Sequence, residues 1–395
     1  MENLKSNKIE KVGVVATSNI SMGGGYPKVI RDLINALTIL GKKVYLATPF
    51  EVDFDKIEKF YGAIKVEKVF NLSKFKIVFC KEVSITRRLI KKEFQKMVQE
   101  VDMIIDMDGG VLHNYLPANF NNKRYVIWRG SPACSDLEKF NDLPKSFERK
   151  VKDLLQKIFN LKRNLPSKKH KIYALDNYTE NELKKYWGLK SEKHHLYPEV
   201  AIENFFYDKK RKKNLILISG RIASNKRLDD SIKIFCFGTK KFPDYELVII
   251  GGTVHDSKHY INYLKKLAER LGISEKVRVI PNPSYEKLRE VLLDAKVLLD
   301  AQQGESTTIT AIEALASGAI VLASTRDCGT WWEMLESGKW GFGFDNVEEG
   351  GRKLENILEN LEKGNLNPEK FMKRTKFYSH ENFVKRIKKI LDVAE

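Results

Sequence analysis

The chain has 395 residues, long for one domain and natural for two. Hydrophobic residues make up 42% and charged residues 31%, a globular composition that sets aside fibrous and disordered classes, and no apolar run approaches the ~20 residues of a spanning helix. Seventy Lys and Arg against 52 Asp and Glu give a formal charge of +18, which favours anionic partners: phosphorylated small molecules, acidic membrane surfaces or nucleic acid.

Much of that lysine is spread evenly, as on solvated faces, and none of the common nucleic-acid modules shows its signature, so nucleic acid is not an expected partner. Cys80, Cys134, Cys236 and Cys328 have no C-x-x-C spacing, which points to a reducing compartment and to neither a disulfide framework nor a zinc cluster. The opening "MENLKSNKIEK" is polar and mixed in charge, unlike a signal peptide. A cytoplasmic protein is expected, with room for peripheral contact at the cytoplasmic face of the membrane.

In chain order, "KVGVVA" at 11–16 reads as a buried strand, followed by the loop "TSNISMGGGYP". Val29, Ile30, Leu33, Ile34, Leu37 and Leu40 then keep helical spacing, and Gly41 is placed as a stop. "KVYLAT", "VDMIIDMDGG" at 101–110 and "RYVIWRGSP" at 124–132 read as further strands of one sheet. After the charged linker "YDKKRKKN" at 207–214 the pattern restarts with "LILIS", a helix from Leu228, "ELVIIGG", "YINYLKKLAERLG", "KVRVI", a helix from Tyr285 and "KVLLDA". A helix from Thr308 to Ser317 and "IVLAS" close the series. Strands alternating with helices imply parallel sheets covered on both faces. The expectation is an α/β protein with two Rossmann-like βαβ domains facing each other across a cleft, with ligands beyond the carboxyl ends of the strands.

Two stretches of the second half supply complementary chemistry. "SGRIASNKRLDD" at 219–230 puts Arg221 and Lys226 on the turn after a strand. "GESTTITAIEALASGAIVLAS" puts Glu305 before a helix, Ser306, Thr307 and Thr308 at its N-terminus, and Glu313 about two turns along it. Helix-terminal amides and the helix dipole make an anion site. A nucleotide sugar needs such a set: cations for the diphosphate, carboxylates for ribose and sugar hydroxyls.

These residues resemble the retaining glycosyltransferases of family 4, which adopt the two-domain GT-B fold. Glu305 and Glu313 stand at the E-x7-E spacing of that family, "IEALASGAIVLAS" follows its later part, and "GRIASNK" resembles its other donor motif. The opening turn departs, because Ser306, Thr307 and Thr308 replace a glycine-rich triplet. Gly23, Gly24 and Gly25, "YTENELKKYWG" at 178–188 and "YPEVAIENFF" at 197–206 are weaker similarities, with Glu199 where the family commonly has a proline. The close resemblance covers about 220–325.

The resemblance implies transfer of a hexose-type sugar from a UDP- or GDP-sugar to a glycan, lipid-linked or small-molecule acceptor, with no further cofactor and no metal. It implies that Arg221, Lys226 and Glu305 act in catalysis, with Glu313 on the ribose. Gly24, Gly25, Ser306, Thr307, Thr308, Ile280 and Asn282 complete the nucleotide site, the base being read largely by backbone groups around 280–283. The implied domains are residues 1–205 for the acceptor, 206–375 for the nucleotide sugar, and a helix over 376–395 packing back on the first.

The first half departs further from the family pattern. Where many members have a His-x-His-like element, "DMDGG" places Asp106 and Asp108, read as polar loop residues of the acceptor cleft in preference to metal ligands. Arg129 occupies the place of a family histidine and cannot act as a general base, though it could bind an anionic acceptor; His113 is an alternative. His255 and His259 in "HDSKH" lack an evident third ligand and are set aside as a metal site.

"ITRRLIKKEFQKMVQE" at 85–100 and "FERKVKDLLQKIFNLKR" at 147–163 are basic and amphipathic, suited either to packing on the domain's own sheet or to docking on an anionic membrane. Two rival functions stay open. A nucleotide-sugar epimerase can share the fold, and a non-enzymatic anion or nucleic-acid binder would account for the charge but not for paired carboxylates.

Overall fold

The computed structural model describes residues 8–16, 18–22, 24–72, 84–107, 111–121, 124–129, 169–253 and 257–394. The described residues fall into two compact units, one running to Arg129, from Lys169 to Glu199 and from Glu381 onward, the other from Val200 to His380.

The first unit carries β1 (Lys11–Val15), α1 (Gly25–Ile39), β2 (Lys43–Thr48), α2 (Phe54–Tyr61), β3 (Lys68–Asn71), α3 (Ser84–Glu100), β4 (Met103–Asp106), β5 (Tyr125–Arg129), β6 (Lys171–Ala174) and α4 (Asn177–Trp187). Its strands pair in the order β3-β2-β1-β4-β5-β6, every neighbour parallel. Apolar residues on both sides of β1 and β4 are buried, as a sheet covered by helices on each face requires. Phe94, Met97 and Val98 of α3 join Val15, Ile104 and Ile127 in that core.

The second unit carries β7 (Leu215–Ser219), α5 (Leu228–Gly238), β8 (Glu246–Gly251), α6 (Ser257–Arg270), β9 (Val277–Pro281), α7 (Tyr285–Asp294), β10 (Val297–Asp300), α8 (Ile309–Ala316), β11 (Ile320–Ser324), β12 (Phe342–Phe344), α9 (Val347–Glu362) and α10 (Pro368–Met372). Its sheet runs β12-β11-β10-β7-β8-β9, again parallel throughout. Each sheet therefore reverses direction once, between β1 and β4 and between β7 and β10. At such a reversal the two outgoing loops diverge and leave a crevice at the carboxyl ends of the strands. This is the doubly wound Rossmann topology, present twice, as the alternation in the sequence predicts.

The last helix, α11 (His380–Ala394), groups with the first unit although it follows the second. Phe383, Ile387, Ile390 and Leu391 are buried, and the Phe383 ring lies 5.9 Å from that of Trp128 in β5.

Candidate active site

The reversal between β7 and β10 brings the two sequence stretches together. The chain leaves β7 through Gly220 and Arg221, makes a short 3-10 turn over Ser224–Lys226, and enters α5. Arg227 takes the left-handed conformation (φ 53°) at that entry, a strained position for a non-glycine residue, and its guanidinium grips Asp230 at 2.7 Å. From β10 the chain runs through Gln302 and Glu305 into α8, with Thr308 at the N-cap and Ser317 and Gly318 at the other end.

Glu305 is the meeting point. Its carboxylate lies 2.7 Å from Lys226 Nζ and 3.7 Å from Arg221 Nη2, and it accepts a hydrogen bond of 3.2 Å from Asn225 Nδ2. The Lys226 and Glu305 side chains are 10% and 20% exposed, whereas Arg221 is 59% exposed. The lysine is thus held in a partly desolvated pair while the arginine stays at the surface. Partial burial screens this pair less than an exposed one, which is worth about 0–1 kcal/mol. Lys226 Nζ also donates to Gln302 Oε1 at 2.7 Å.

The loop before α8 is fixed from the far side by residues 327–330. Gly329 N–H donates to the Glu305 carbonyl at 2.8 Å, and a side chain at 329 would lie 2.7 Å from the Ser306 and Thr307 backbone. Thr330 Oγ1 accepts from the Thr308 amide at 3.3 Å, so this helix-terminal N–H already has a partner. Asp300, at the end of β10, has a carboxyl whose pKa is raised, chiefly by desolvation and against the pull of Lys226. Burial and the Asp300 charge together push the Cys328 thiol up to about 12, which leaves it inert as a nucleophile. Glu313 is buried on α8.

On the neighbouring strands, Gly251 packs so closely on Gly220 that a Cβ would sit 1.6 Å from the Gly220 carbonyl oxygen. Ile280 is half-buried in β9. Asn282 is left-handed (φ 50°), and its Oδ1 accepts from Thr253 N–H at 2.8 Å and from Thr253 Oγ1 at 3.1 Å, so its side chain braces the adjoining loop.

In the first unit, Gly24 (φ 121°) caps α1 and Gly25 opens it. Asp106 does not line a loop: it is the last residue of β4, wholly buried, and accepts the Tyr125 hydroxyl. His113 lies on a short 3-10 turn over Val111–Tyr115, its ring edge-on to that of His170 at 5.6 Å. Arg129 ends β5, paired with Ala174. Asp108, Gly23, His255 and the stretch 147–163 lie outside the described residues. Among the described residues no group of three or more His, Cys, Asp or Glu side chains is placed to hold a metal ion, and no helix is long and apolar enough to cross a membrane.

Asn225, Asp300, Gln302, Gly329 and Thr330 belong to this network without having been singled out in the sequence. The end of "KVLLDA" at a topological reversal was the available signal for Asp300 and Gln302. Nothing in the sequence pointed to residues 329 and 330, which approach only through the fold.

Residues 201–376 match the family described as glycosyl transferases group 1. That stretch lies within the second unit, and two Rossmann-like units of this topology are the GT-B architecture. Among curated relatives, the human GDP-Man:Man(3)GlcNAc(2)-PP-Dol alpha-1,2-mannosyltransferase is 28% identical over 163 residues, covering 38% of this chain and 33% of that protein. The match thus spans about a third of that relative's length. Among solved structures, sucrose-phosphate synthase from Thermosynechococcus elongatus superposes with a TM-score of 0.74 at 14% identity, covering 96% of this chain and 98% of that one. Anabaena HepE in complex with UDP and glucose superposes with a TM-score of 0.69 at 14% identity, covering 97% and 99%. At such identities these structures establish a shared fold.

Proposed function

We propose that the protein is a retaining glycosyltransferase of the family 4 type, moving a hexose-type sugar from a nucleoside-diphosphate sugar to a hydroxyl acceptor. The observation that carries this reading is the Glu305 carboxylate clasped by Lys226 at 2.7 Å and faced by Arg221 at 3.7 Å, at the β7–β10 reversal. In this reading the bond between the anomeric carbon and the diphosphate oxygen breaks, and negative charge grows on the departing diphosphate. Lys226 and Arg221 offset that charge, an electrostatic contribution commonly among the largest in catalysis. Glu305 holds donor-sugar hydroxyls and Glu313 the ribose. The acceptor oxygen attacks from the face the diphosphate leaves, and its proton passes to the departing phosphate oxygen.

The donor is a UDP- or GDP-sugar. The human relative is named for GDP-Man and HepE was captured with UDP, so the base stays open between these two. We assign the acceptor, a glycan or a lipid-linked sugar, to the first unit, with His113 and Arg129 as candidate contacts. The exposed lysines of α3 are assigned to an anionic membrane surface. Nucleotide release measured with and without acceptor tests the reading. Acceptor-dependent release supports transfer, a changed sugar without acceptor indicates an epimerase, and no release indicates a binding protein.

A further inference from the structure

Behind the contact between Lys226 and Glu305 lies a second row of polar groups that the proposed reaction does not touch. Gln302 is buried at 3% exposure, and its side-chain amide bridges two partners: Oε1 accepts from Lys226 Nζ at 2.7 Å, and Nε2 donates to Asp300 Oδ2 at 3.1 Å. The Asp300 carboxylate also receives the Gln302 backbone N–H and the Thr308 hydroxyl, both at 3.3 Å. Donors thus converge on Asp300, and it serves throughout as an acceptor.

The two ends of a glutamine amide have nearly the same shape, so neighbouring chemistry alone decides which end faces which partner. An ionised carboxylate accepts only. It therefore draws the NH2 end of Gln302 and leaves the carbonyl oxygen for the lysine. An ammonium has three N–H donors. Gln302 Oε1 accepts one of them at 2.7 Å and Glu305 Oε2 pairs with the charge at 2.7 Å, and among the described residues the ammonium has no further protein acceptor. Lysine is a flexible point charge, and two fixed acceptors remove its freedom before a ligand arrives.

We propose that Asp300 and Gln302 are positioning residues: Asp300 sets the polarity of the Gln302 amide, which holds Lys226 with one N–H directed to an anionic ligand. That this ligand is the donor diphosphate rests on the function proposed above. The positioning itself follows from the three side chains alone.

The test uses the full chain as wild type, Asp300→Asn, Gln302→Glu and the double variant, with folding checked by circular dichroism. An asparagine in place of Asp300 can donate to Oε1 and turn the NH2 end of Gln302 toward the ammonium. A glutamate in place of Gln302 sets a second carboxylate beside Asp300. Each single variant should lower the turnover number for nucleotide release about tenfold, with a smaller change in acceptor KM. The double variant should recover to within about threefold of wild type, because the introduced asparagine amide then donates to the introduced glutamate, whose other oxygen takes Lys226. A purely structural role predicts the reverse, with the two losses multiplying to about a hundredfold. Full activity of Asp300→Asn, or multiplying losses, would overturn the proposal.

A second measurement keeps the proposal separate from the enzymatic reading. If the wild type neither binds UDP or GDP in calorimetry nor releases nucleotide, the donor assignment fails, and the positioning is read from unfolding. In a thermal double-mutant cycle of Gln302→Met with Lys226→Met, the combined loss in Tm should fall short of the sum by about 2 °C or more. Additive losses would sink the proposal, and this pair carries the test should the Asp300→Asn variant misfold.

Discussion

Lys226 and Glu305 face each other at 2.7 Å from the carboxyl ends of β7 and β10, adjacent strands of one sheet. Protein side chains alone orient the lysine, through Glu305 and Gln302. Deleting one partner of the ion pair leaves the other's charge in a partly desolvated place, which penalises function and stability together.

Glu305→Gln keeps the shape and the Asn225 contact while removing the charge. Transfer should fall by a factor of ~100 or more with far-ultraviolet dichroism unchanged. Lys226→Ala should behave alike and also weaken UDP or GDP in calorimetry. Near-wild-type turnover of both variants at saturating donor would show that the donor site lies elsewhere.

Gly251 and Gly252 make a paired test of backbone approach. A Cβ at 251 would meet the Gly220 carbonyl oxygen at 1.6 Å, and backbone cannot swing aside as a side chain can; at 252 nothing lies within 4 Å. Gly251→Ala should destabilise by about 2–4 kcal/mol and Gly252→Ala by less than about 1, read as Tm by circular dichroism. Equal effects would refute the close approach.

Asp300 gives a pH dependence of definite sign. Desolvation raises its pKa in the folded state above the ordinary 3.8. The folded chain therefore holds this proton more tightly than the unfolded one. The associated stability is fully present below about pH 3.8 and is lost as pH rises through the folded value. Asp300→Asn removes that loss, so its Tm relative to wild type should climb as pH rises above about 4, even as transfer declines. A difference in Tm that is flat with pH would contradict the assignment.

The outward side of α3 offers Lys91, Lys92 and Lys96 to solvent while Phe94 and Met97 face the core. At about 1 kcal/mol per basic residue near an anionic bilayer, reversing the three to Glu should cut sedimentation with phosphatidylserine vesicles about a hundredfold at low salt. Binding that is absent in the wild type, or indifferent to the reversal, would point to a soluble acceptor.

Much of the architecture was legible in residue order. "KVYLAT", "LILIS" and "IVLAS" coincide with β2, β7 and β11, because strands buried on both faces read as continuous apolar runs. Gly41 and Gly318 end their helices in the left-handed conformation. β3, β6 and β12 leave no such trace: "KVFN", "KIYA" and "FGF" lack the continuous apolar run that marks β4 and β10 at the same short length. Arg221, Lys226 and Glu305 were named from spacing and are brought together. An aspartate ending an apolar run reads as the start of a loop, whereas Asp106 is buried and accepts the Tyr125 hydroxyl. Asn225 and Thr330 owe their places to contacts between distant segments, which no local pattern encodes.

The return of α11 to the first unit has a consequence during synthesis. Trp128 leaves the ribosome well over two hundred residues before Phe383, the ring it packs against. At typical elongation rates of about 5–20 residues per second, that interval lasts on the order of tens of seconds. The second unit, whose described residues all lie between Val200 and His380, can close meanwhile. The earlier-born unit must wait with an apolar face uncovered until the final helix emerges, which makes it the part of the nascent chain that a holding chaperone would grip.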